Sequence, residues 1–398
     1  MRVLVIGGGI AGAATALALH KAGLDVDVYE AHPDSAEDLG AFLTLASNGM
    51  RAVAELDASS AVTALGFPLT SMRVLDGAGA ELALVPLGEA ADPLLRYRCL
   101  RRGALGSGLQ AEAARRGIAV HHGTRLTTVQ EDTDGVTARF ADGSTAGGDL
   151  LIGADGLNSA VRGAIAPAVR PLHAGQRVFY GYTDTASPPT GDARITMIRG
   201  SAAAFGYAVS PGGETYWFAR VPGEPLPAEE IAHGTPAGWR ELLLPLLRED
   251  ATPAADIVAA TSDDVLVTNA TEIPTGTLWR SGRTLLVGDA AHAASPATGQ
   301  GASMALEDAV VLAKCLRDAP DTDAALSLYE ELRRPRVEHN VTVSGAISRG
   351  ATAPSPARRS APPSRPGDDE LVRLLEWESD VWTAARDVGR GQREEARP

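Results

Sequence analysis

The first thirty residues restrict the fold more than any other stretch. Val3-Leu4-Val5-Ile6 is an apolar run of strand length, Gly7-Gly8-Gly9-Ile10-Ala11-Gly12 follows at once, and an Ala/Leu-rich segment continues to about Ala22. That order predicts a buried strand, a glycine turn and a helix stopped at Gly23. Val26-Asp27-Val28-Tyr29-Glu30 reads as a second strand, which a right-handed crossover makes parallel to the first. Gly7, Gly9 and Gly12 satisfy G-x-G-x-x-G. The first glycine permits the tight turn, the second lets a pyrophosphate approach the backbone, and the third lets helix and strand pack closely. The helix start, Ala11 included, offers free N–H groups and a partial positive charge to phosphates. Glu30 lies eighteen residues past Gly12. A carboxylate there can accept from adenosine ribose hydroxyls and would repel a 2′-phosphate. The motif therefore predicts a dinucleotide without that phosphate, and by itself does not choose between FAD and NAD.

Further along, a helix is expected from Arg102, with Leu105, Leu109 and Ala113 on one face and Arg102 turned with them toward the interior. Thr124 to Glu131 and Val136 to Phe140 read as paired strands, with turns at Asp134-Gly135 and Asp142-Gly143. Leu150-Leu151-Ile152 and Thr284-Leu285-Leu286-Val287 read as two more buried strands. Between them, from about 171 to 275, the texture becomes alternating and aromatic, as in Arg177 to Tyr182, Phe205 to Val209 and Thr215 to Val221. This predicts a mostly antiparallel sheet, with a helix near Trp239 to Leu247. A long helix is expected from about Ala302 to Arg317. The Pro- and Ser-rich stretch from Ala351 to Asp369 reads as a mobile loop before a last helix, about Leu371 to Ala385.

Charge limits the partners. Lys and Arg number 36 against 50 Asp and Glu, a formal charge of −14, which argues against a general nucleic-acid or anionic-membrane surface. No apolar run approaches the ~18 residues of a membrane span. Cys99 and Cys315, far apart, fit no metal or C-x-x-C spacing and read as buried free thiols. A chain opening directly into strand-like sequence, without a basic, apolar and cleavage-site leader, is expected in the cytoplasm.

Gly288-Asp289-Ala290-Ala291-His292, then Pro296, then Gly299-Gln300-Gly301-Ala302-Ser303-Met304-Ala305-Leu306-Glu307-Asp308 closely resembles the second flavin motif of the class A FAD-dependent monooxygenases, the para-hydroxybenzoate-hydroxylase-like aromatic hydroxylases. Gly153-Ala154-Asp155-Gly156, with Ser159 and Arg162, resembles that family's Asp-Gly fingerprint, which in relatives is associated with both FAD and the pyridine nucleotide. Arg102 with Leu105 and Leu109 resembles its R-x-x-L-x-x-x-L segment, whose arginine touches the flavin; Arg98 and Arg101 lie close enough to take that place. The resemblance decides for FAD. It implies that Asp289 binds a ribityl hydroxyl, and that Gly299, Gly301 and Ala302 open a helix whose N–H groups face the flavin pyrimidine edge. Ala31-His32-Pro33 after Glu30 departs from the family, where many relatives carry an arginine.

The fold implied is α/β: a discontinuous Rossmann-like FAD-binding domain from residues 1–70, 98–170 and 276–350, a mostly antiparallel substrate domain from 71–97 and 171–275, and C-terminal helices, with 351–398 as loop and last helix. The activity implied is a single-component monooxygenase. NADPH or NADH reduces FAD transiently, O2 adds to form the flavin C4a-hydroperoxide, and oxygen passes to a small organic substrate by hydroxylation or epoxidation. No second G-x-G-x-x-G supplies a separate NAD(P)H domain. No catalytic side chain is demanded, and His292 reads as a structural histidine beside the cofactor. Tyr180, Tyr182, Tyr207, Tyr216, Trp217 and Phe218 suggest a hydrophobic, aromatic or polycyclic substrate, with about half of them facing it, and the Ala-, Gly- and Arg-rich composition, like that of a high-GC bacterium, associates the chain with natural-product tailoring or inactivation. The alternatives are a reductase or halogenase on the same scaffold, and a non-catalytic flavin- or NAD-binding protein. Trp217-Phe218-Ala219-Arg220 lacks the W-x-W-x-I-P pattern of a tryptophan-halogenase-like enzyme.

Overall fold

The computed structural model describes residues 1–35, 40–89, 91–133, 135–186, 188, 193–263, 265–350 and 368–386. Its first layer is a six-stranded sheet in the order Arg280–Ser281, Thr284–Leu286, Leu150–Gly153, Arg2–Ile6, Asp25–Tyr29 and Ala119–His121. All neighbours run parallel except the short edge pair Arg280–Ser281 with Thr284–Leu286. Val3 pairs with Leu150 on one side and Val26 on the other. Val3, Leu4 and Val5 have no exposed surface, because helices cover both faces of a parallel sheet and every side chain must then be apolar. Helix Ile10–Lys21 lies between this sheet and helix Gly301–Asp318, and its Leu17 and Leu19 are fully buried. At its end Gly23 takes φ +81, and the Leu24 N–H reaches back to the Leu19 carbonyl at 3.1 Å, so the glycine stop is a left-handed cap. A three-stranded meander, Leu126–Glu131, Val136–Phe140 and Thr145–Gly148, hangs beside this sheet. Its Asp142 turn is held by the carboxylate accepting from Ser144, while Asp134 lies outside the described residues.

The second layer is a seven-stranded sheet in the order Val265–Glu272, Leu172–Thr183, Thr215–Pro222, Ala204–Val209, Arg194–Arg199, Ser71–Asp76 and Glu81–Pro86. It is antiparallel except where Arg194–Arg199 meets Ser71–Asp76. Period-two alternation sorts its aromatic residues. Phe179, Phe205, Tyr207 and Trp217 point to one face, under helix Pro236–Leu247 and its Trp239. Tyr180, Tyr182, Tyr216 and Phe218 point to the other, where they meet Phe42 and Phe67 from a small sheet of Phe42–Leu45, Tyr97–Arg101 and Phe67–Leu69. Of the six aromatic residues singled out from the sequence, four therefore share the face turned toward the first layer.

Cys99 and Cys315 are both buried and unpaired. Among the described residues no helix is long and apolar enough to cross a membrane. The 27-residue helix Thr322–Ser348, started by Asp321 accepting from the Ala324 N–H at 2.8 Å, packs against Gly301–Asp318. Most of the expected loop from Ala351 to Asp369 lies outside the described residues. The last helix differs from the expectation: Asp368–Leu375 and a short helix over 381–386 are separated by a turn. The cause is Lys314, whose buried ammonium needs acceptors. It finds the carbonyls of Leu374, at 2.6 Å, and Glu376, together with the Ser379 hydroxyl at 2.8 Å. An uninterrupted helix would hold those carbonyls in its own ladder.

Candidate active site

The residues marked out by the three motifs meet at the carboxyl ends of the parallel strands. Gly7 has φ +101, and a Cβ on it would stand 2.5 Å from the Ala154 carbonyl oxygen, so the glycine turn is pressed against the Asp-Gly segment. A Cβ on Gly12 would lie 1.8 Å from the Gly7 oxygen, which is why helix and strand close so tightly there. Gly9 is the reverse case: it is exposed, and a Cβ there meets no atom within 4 Å. Ala11 sits in the first turn behind it and touches the second motif, since a Cβ on Gly288 would stand 2.7 Å from the Ala11 Cβ.

Glu30 leaves strand Asp25–Tyr29 with its carboxylate accepting from the backbone N–H groups of Gly8, at 2.5 Å, and His32, at 2.6 Å. The Gly8 carbonyl accepts from Gln110 Nε2 at 2.6 Å, and Gln110 Oε1 is buried without a partner. Gln110 was not singled out from the sequence. Its only signal is position, immediately after Leu109 in the R-x-x-L-x-x-x-L segment.

Asp155 turns its carboxylate onto its own loop, accepting from the Ser159 hydroxyl at 2.5 Å and from the Ala160 and Val161 N–H groups. It thereby caps helix Ala160–Ile165, and burial pushes its carboxyl up against those hydrogen bonds. Arg162 is buried and donates to the carbonyls of Leu157 and, at 2.9 Å, Ala290, tying the fingerprint to the second motif.

Arg102 departs from its expected orientation. Leu105, Leu109 and Ala113 are fully buried, but the Arg102 side chain is 62% exposed. It is the first residue of helix Arg102–Arg115, so it leaves the face of the later turns and reaches over the lip to Asp289, 3.6 Å away. The two neighbouring arginines are engaged elsewhere. Arg98 donates to the carbonyls of Thr63 and Leu65, and Arg101 pairs with Glu214 at 2.8 Å.

Asp289 opens a short helix after Gly288. Gly299 has φ +66, Gln300 precedes helix Gly301–Asp318, and a Cβ on Gly301 would meet nothing within 4 Å. Gly299 and Gly301 are exposed and Ala302 half-buried at that helix start. Beneath them lies a buried ionic cluster. His292 Nε2 is 2.6 Å from Asp308, which also accepts from the Gly288 N–H at 3.0 Å and from Arg333 Nε at 2.8 Å. Arg333 lies 2.7 Å from Glu307, which is joined by Arg336 and by Asn48 at 2.6 Å. Burial alone would push the Asp308 carboxyl up, but the charges of His292 and Arg333 outweigh it and hold it well below the usual carboxylate range. His292 thus has one nitrogen committed to Asp308.

In front of the Gly299 turn stands the aromatic face of the seven-stranded sheet. Phe42 lies within 6.4 Å, centroid to centroid, of Tyr180, Tyr182, Tyr216 and Phe218. Burial pushes the Tyr180 hydroxyl up to about 12, which keeps it neutral and able to donate. Arg101 lies over the Tyr182 ring at 3.8 Å. Arg220, on the strand of Tyr216 and Phe218, donates to the Ala297 carbonyl at 3.2 Å and so touches the turn before Gly299.

These features fit an extended dinucleotide carrying a planar ring. Two helix starts present N–H groups at open glycines, one acceptor carboxylate stands at either end, and Gln110 Oε1 waits for a donor. The description by which known relatives share this sequence is an FAD-binding domain, matched over residues 1–344. The chain belongs to the class A FAD-dependent aromatic hydroxylases. As a member it is an FAD-dependent monooxygenase, and its cofactor is FAD. It is similar to the FAD-dependent urate hydroxylase of Klebsiella pneumoniae, 35% identical over 366 residues covering 85% of this chain and 87% of that one. The aurachin C monooxygenase/isomerase of Stigmatella aurantiaca is 32% identical over 357 residues, 87% of this chain and 88% of that one. The structure of Klebsiella pneumoniae HpxO complexed with FAD and uric acid superposes with a TM-score of 0.77 at 31% identity, covering 88% of this chain and 89% of that one.

Proposed function

We propose that this hydroxylase takes electrons from NADH or NADPH and inserts one atom of O2 into a hydrophobic aromatic or polycyclic molecule, in the tailoring or inactivation of a natural product. The observation that carries the reading is the wall of Phe42, Tyr180, Tyr216 and Phe218 standing before the Gly299 turn. A natural-product role draws on the likeness to an aurachin C monooxygenase/isomerase. FAD, when bound, supplies the centre that accepts hydride and then activates oxygen; the chain supplies position and dryness.

In this reading Gly7, Gly9, Ala11 and Gly12 take the pyrophosphate, the first helix start giving its N–H groups and Gly9 its open face. Glu30 accepts from the adenosine ribose, exchanging a contact with its own loop for a hydroxyl. Asp289 accepts from the ribityl chain and Arg102 lies over it. Gly299, Gly301 and Ala302 direct N–H groups at the pyrimidine edge, where a helix start favours the negative charge of the reduced ring. Asp155 acts by holding the fingerprint loop against Gly7. The aromatic wall excludes water, so that oxygen reaches substrate carbon instead of leaving as hydrogen peroxide.

The balance is one oxygen atom into product, the other into water, with two electrons from the nicotinamide. The test is turnover under 18O2 with urate, kynurenine, 3-amino-4-hydroxybenzoate and aurachin C as the panel. The expected result is substrate-stimulated NAD(P)H oxidation with one labelled oxygen in the product of at least one of them. Unlabelled product would make the chain a reductase, and no stimulated NAD(P)H oxidation across the panel would overturn the reading.

A further inference from the structure

One side chain in the second flavin motif has its donor and acceptor ends sorted by a buried charge. Gln300 stands between Gly299 and Gly301, and helix Gly301–Asp318 follows it. Its amide lies on the side of that helix turned to helix Ser47–Glu55, the side that also carries Glu307. The link between them is Asn48, whose Nδ2 donates to Gln300 Oε1 at 3.0 Å and to Glu307 Oε1 at 2.6 Å. Which end of an amide faces which neighbour is decided by the neighbours, and here Glu307 decides. It has no exposed surface, and cations face both of its oxygens: Arg333 lies at 2.7 Å, and Arg336 donates at 2.8 and 2.9 Å. Burial pushes the Glu307 carboxyl up, but the charges of Arg333 and Arg336 outweigh it and hold it below the usual carboxylate range. An ionised carboxylate only accepts, so Asn48 must turn its NH2 group to it. The second hydrogen on that nitrogen then points at Gln300, which must answer with its oxygen. Gln300 Nε2 is left as the far end of the amide, and among the described residues it donates to no atom.

We infer that Asn48 is a positioning residue for the cofactor: it holds Gln300 so that the Gln300 amide N–H groups serve as donors to a carbonyl oxygen on the pyrimidine edge of the flavin. The inference rests on the proposed placement of that edge at the Gly299 turn, and adds a side-chain donor and its support to the backbone N–H groups. Reduction puts negative charge on the pyrimidine ring, so a donor fixed there in advance favours the reduced form. A glutamine amide without a fixed neighbour can offer either its nitrogen or its oxygen, and the oxygen would repel an anionic ring. The relay starts in a cluster beneath the turn. Arg333 and Arg336 keep Glu307 ionised, Glu307 orients Asn48, and Asn48 orients Gln300.

The test is the two-electron midpoint potential of the FAD-loaded protein, measured against a reference dye in the absence of oxygen, NAD(P)H and substrate. In Gln300→Leu the reduced form is expected to be at least about ten-fold less favoured over the oxidised form, a fall of about 30 mV. Asn48→Leu should move the potential in the same direction and by less, because Gln300 is still present but free to turn. Asn48→Ala, which adds no bulk beside Glu307, is expected to repeat that shift. The double variant Asn48→Leu/Gln300→Leu should match Gln300→Leu alone, since Asn48 acts through Gln300. Additive shifts would overturn the relay, because an Asn48 that merely supports the fold acts independently of Gln300. So would a potential unmoved in Gln300→Leu or in both Asn48 variants. Gly301→Val reads the placement of the ring itself, since a side chain at that open position comes between the helix start and whatever lies before it. A potential that moves in Gly301→Val alone overturns the relay and leaves the placement standing; wild-type potentials in every variant overturn both. Because no oxygen is transferred, failure here leaves the oxygen-18 experiment standing, and failure there leaves these potentials standing.

Discussion

Arg333→Met is expected to lower the melting temperature by on the order of 10 °C, the largest stability loss of any single substitution outside the apolar core. Arg333 has no exposed surface and lies between two carboxylates that have none either, Glu307 at 2.7 Å and Asp308 at 2.8 Å. Removing the cation leaves both acids buried, with the partly exposed Arg336, the Asn48 amide, the Gly288 N–H and His292 beside them. Breaking a buried pair from one side costs roughly 3–5 kcal/mol, because the remaining charge has no water to turn to. The acid limb of stability should change as well. Asp308 is held below its usual range in the fold, so it contributes stability above the unfolded carboxyl pKa of about 4 and loses it as pH falls through the folded value. Without Arg333 that depression shrinks, and the wild-type decline toward low pH should flatten. Thermal unfolding between neutral pH and about pH 3 reads both effects; a wild-type melting curve in Arg333→Met would show that the cluster does not hold the second motif together.

Gly12→Val is expected to abolish flavin retention and to destabilise the apoprotein, whereas Gly9→Ala should leave the apoprotein intact and weaken FAD alone. The contrast follows from what a side chain would meet. At Gly12 the first added carbon falls 1.8 Å from the Gly7 carbonyl oxygen, a backbone atom at the end of strand Arg2–Ile6 that cannot turn aside. Helix Ile10–Lys21 would have to lift from the sheet, opening the fully buried layer of Leu17 and Leu19. At Gly9 an added Cβ meets no atom beyond its chain neighbours within 4 Å in the described protein, so a methyl there meets what approaches from outside. Flavin content after purification and the melting temperature of the stripped protein separate the two. A Gly9→Ala protein with full flavin affinity would mean that the pyrophosphate does not pass over that residue.

Much of this fold is written locally. Strand Arg2–Ile6, its helix and the Gly23 stop are set by apolar runs and glycine positions within one unit. The alternation through Thr215–Pro222 sorts Trp217 from Phe218 without reference to anything distant. What could not be read depends on partners far away in the chain. Arg333 and Glu307 sit on different helices, and their pairing makes Arg333 a core residue although its chemistry suggests surface. Helix Thr322–Ser348 escaped notice for the same reason: Pro335 and the charged residues around it hide a buried face built on ion pairs. Arg102 was misdirected because helical spacing describes the body of a helix, and its first residue is free to follow Asp289 instead. Gln110 gave no signal, since an amide that holds the Gly8 carbonyl looks in sequence like any helix-surface glutamine.

The central claim is that four strand ends, carrying the glycine turn, Glu30, the Asp-Gly fingerprint and the Asp289 motif, together hold one FAD. Titrating FAD into the stripped protein and following quenching of its fluorescence tests this most directly, in the wild type and in Glu30→Arg and Asp289→Ala. A charge-assisted hydrogen bond contributes about 1.5–3 kcal/mol, and about 1.4 kcal/mol is ten-fold in affinity. Each variant should therefore bind FAD at least about ten-fold more weakly than the wild type. Undiminished affinity in both, or a wild-type protein that takes up no FAD, would contradict the claim.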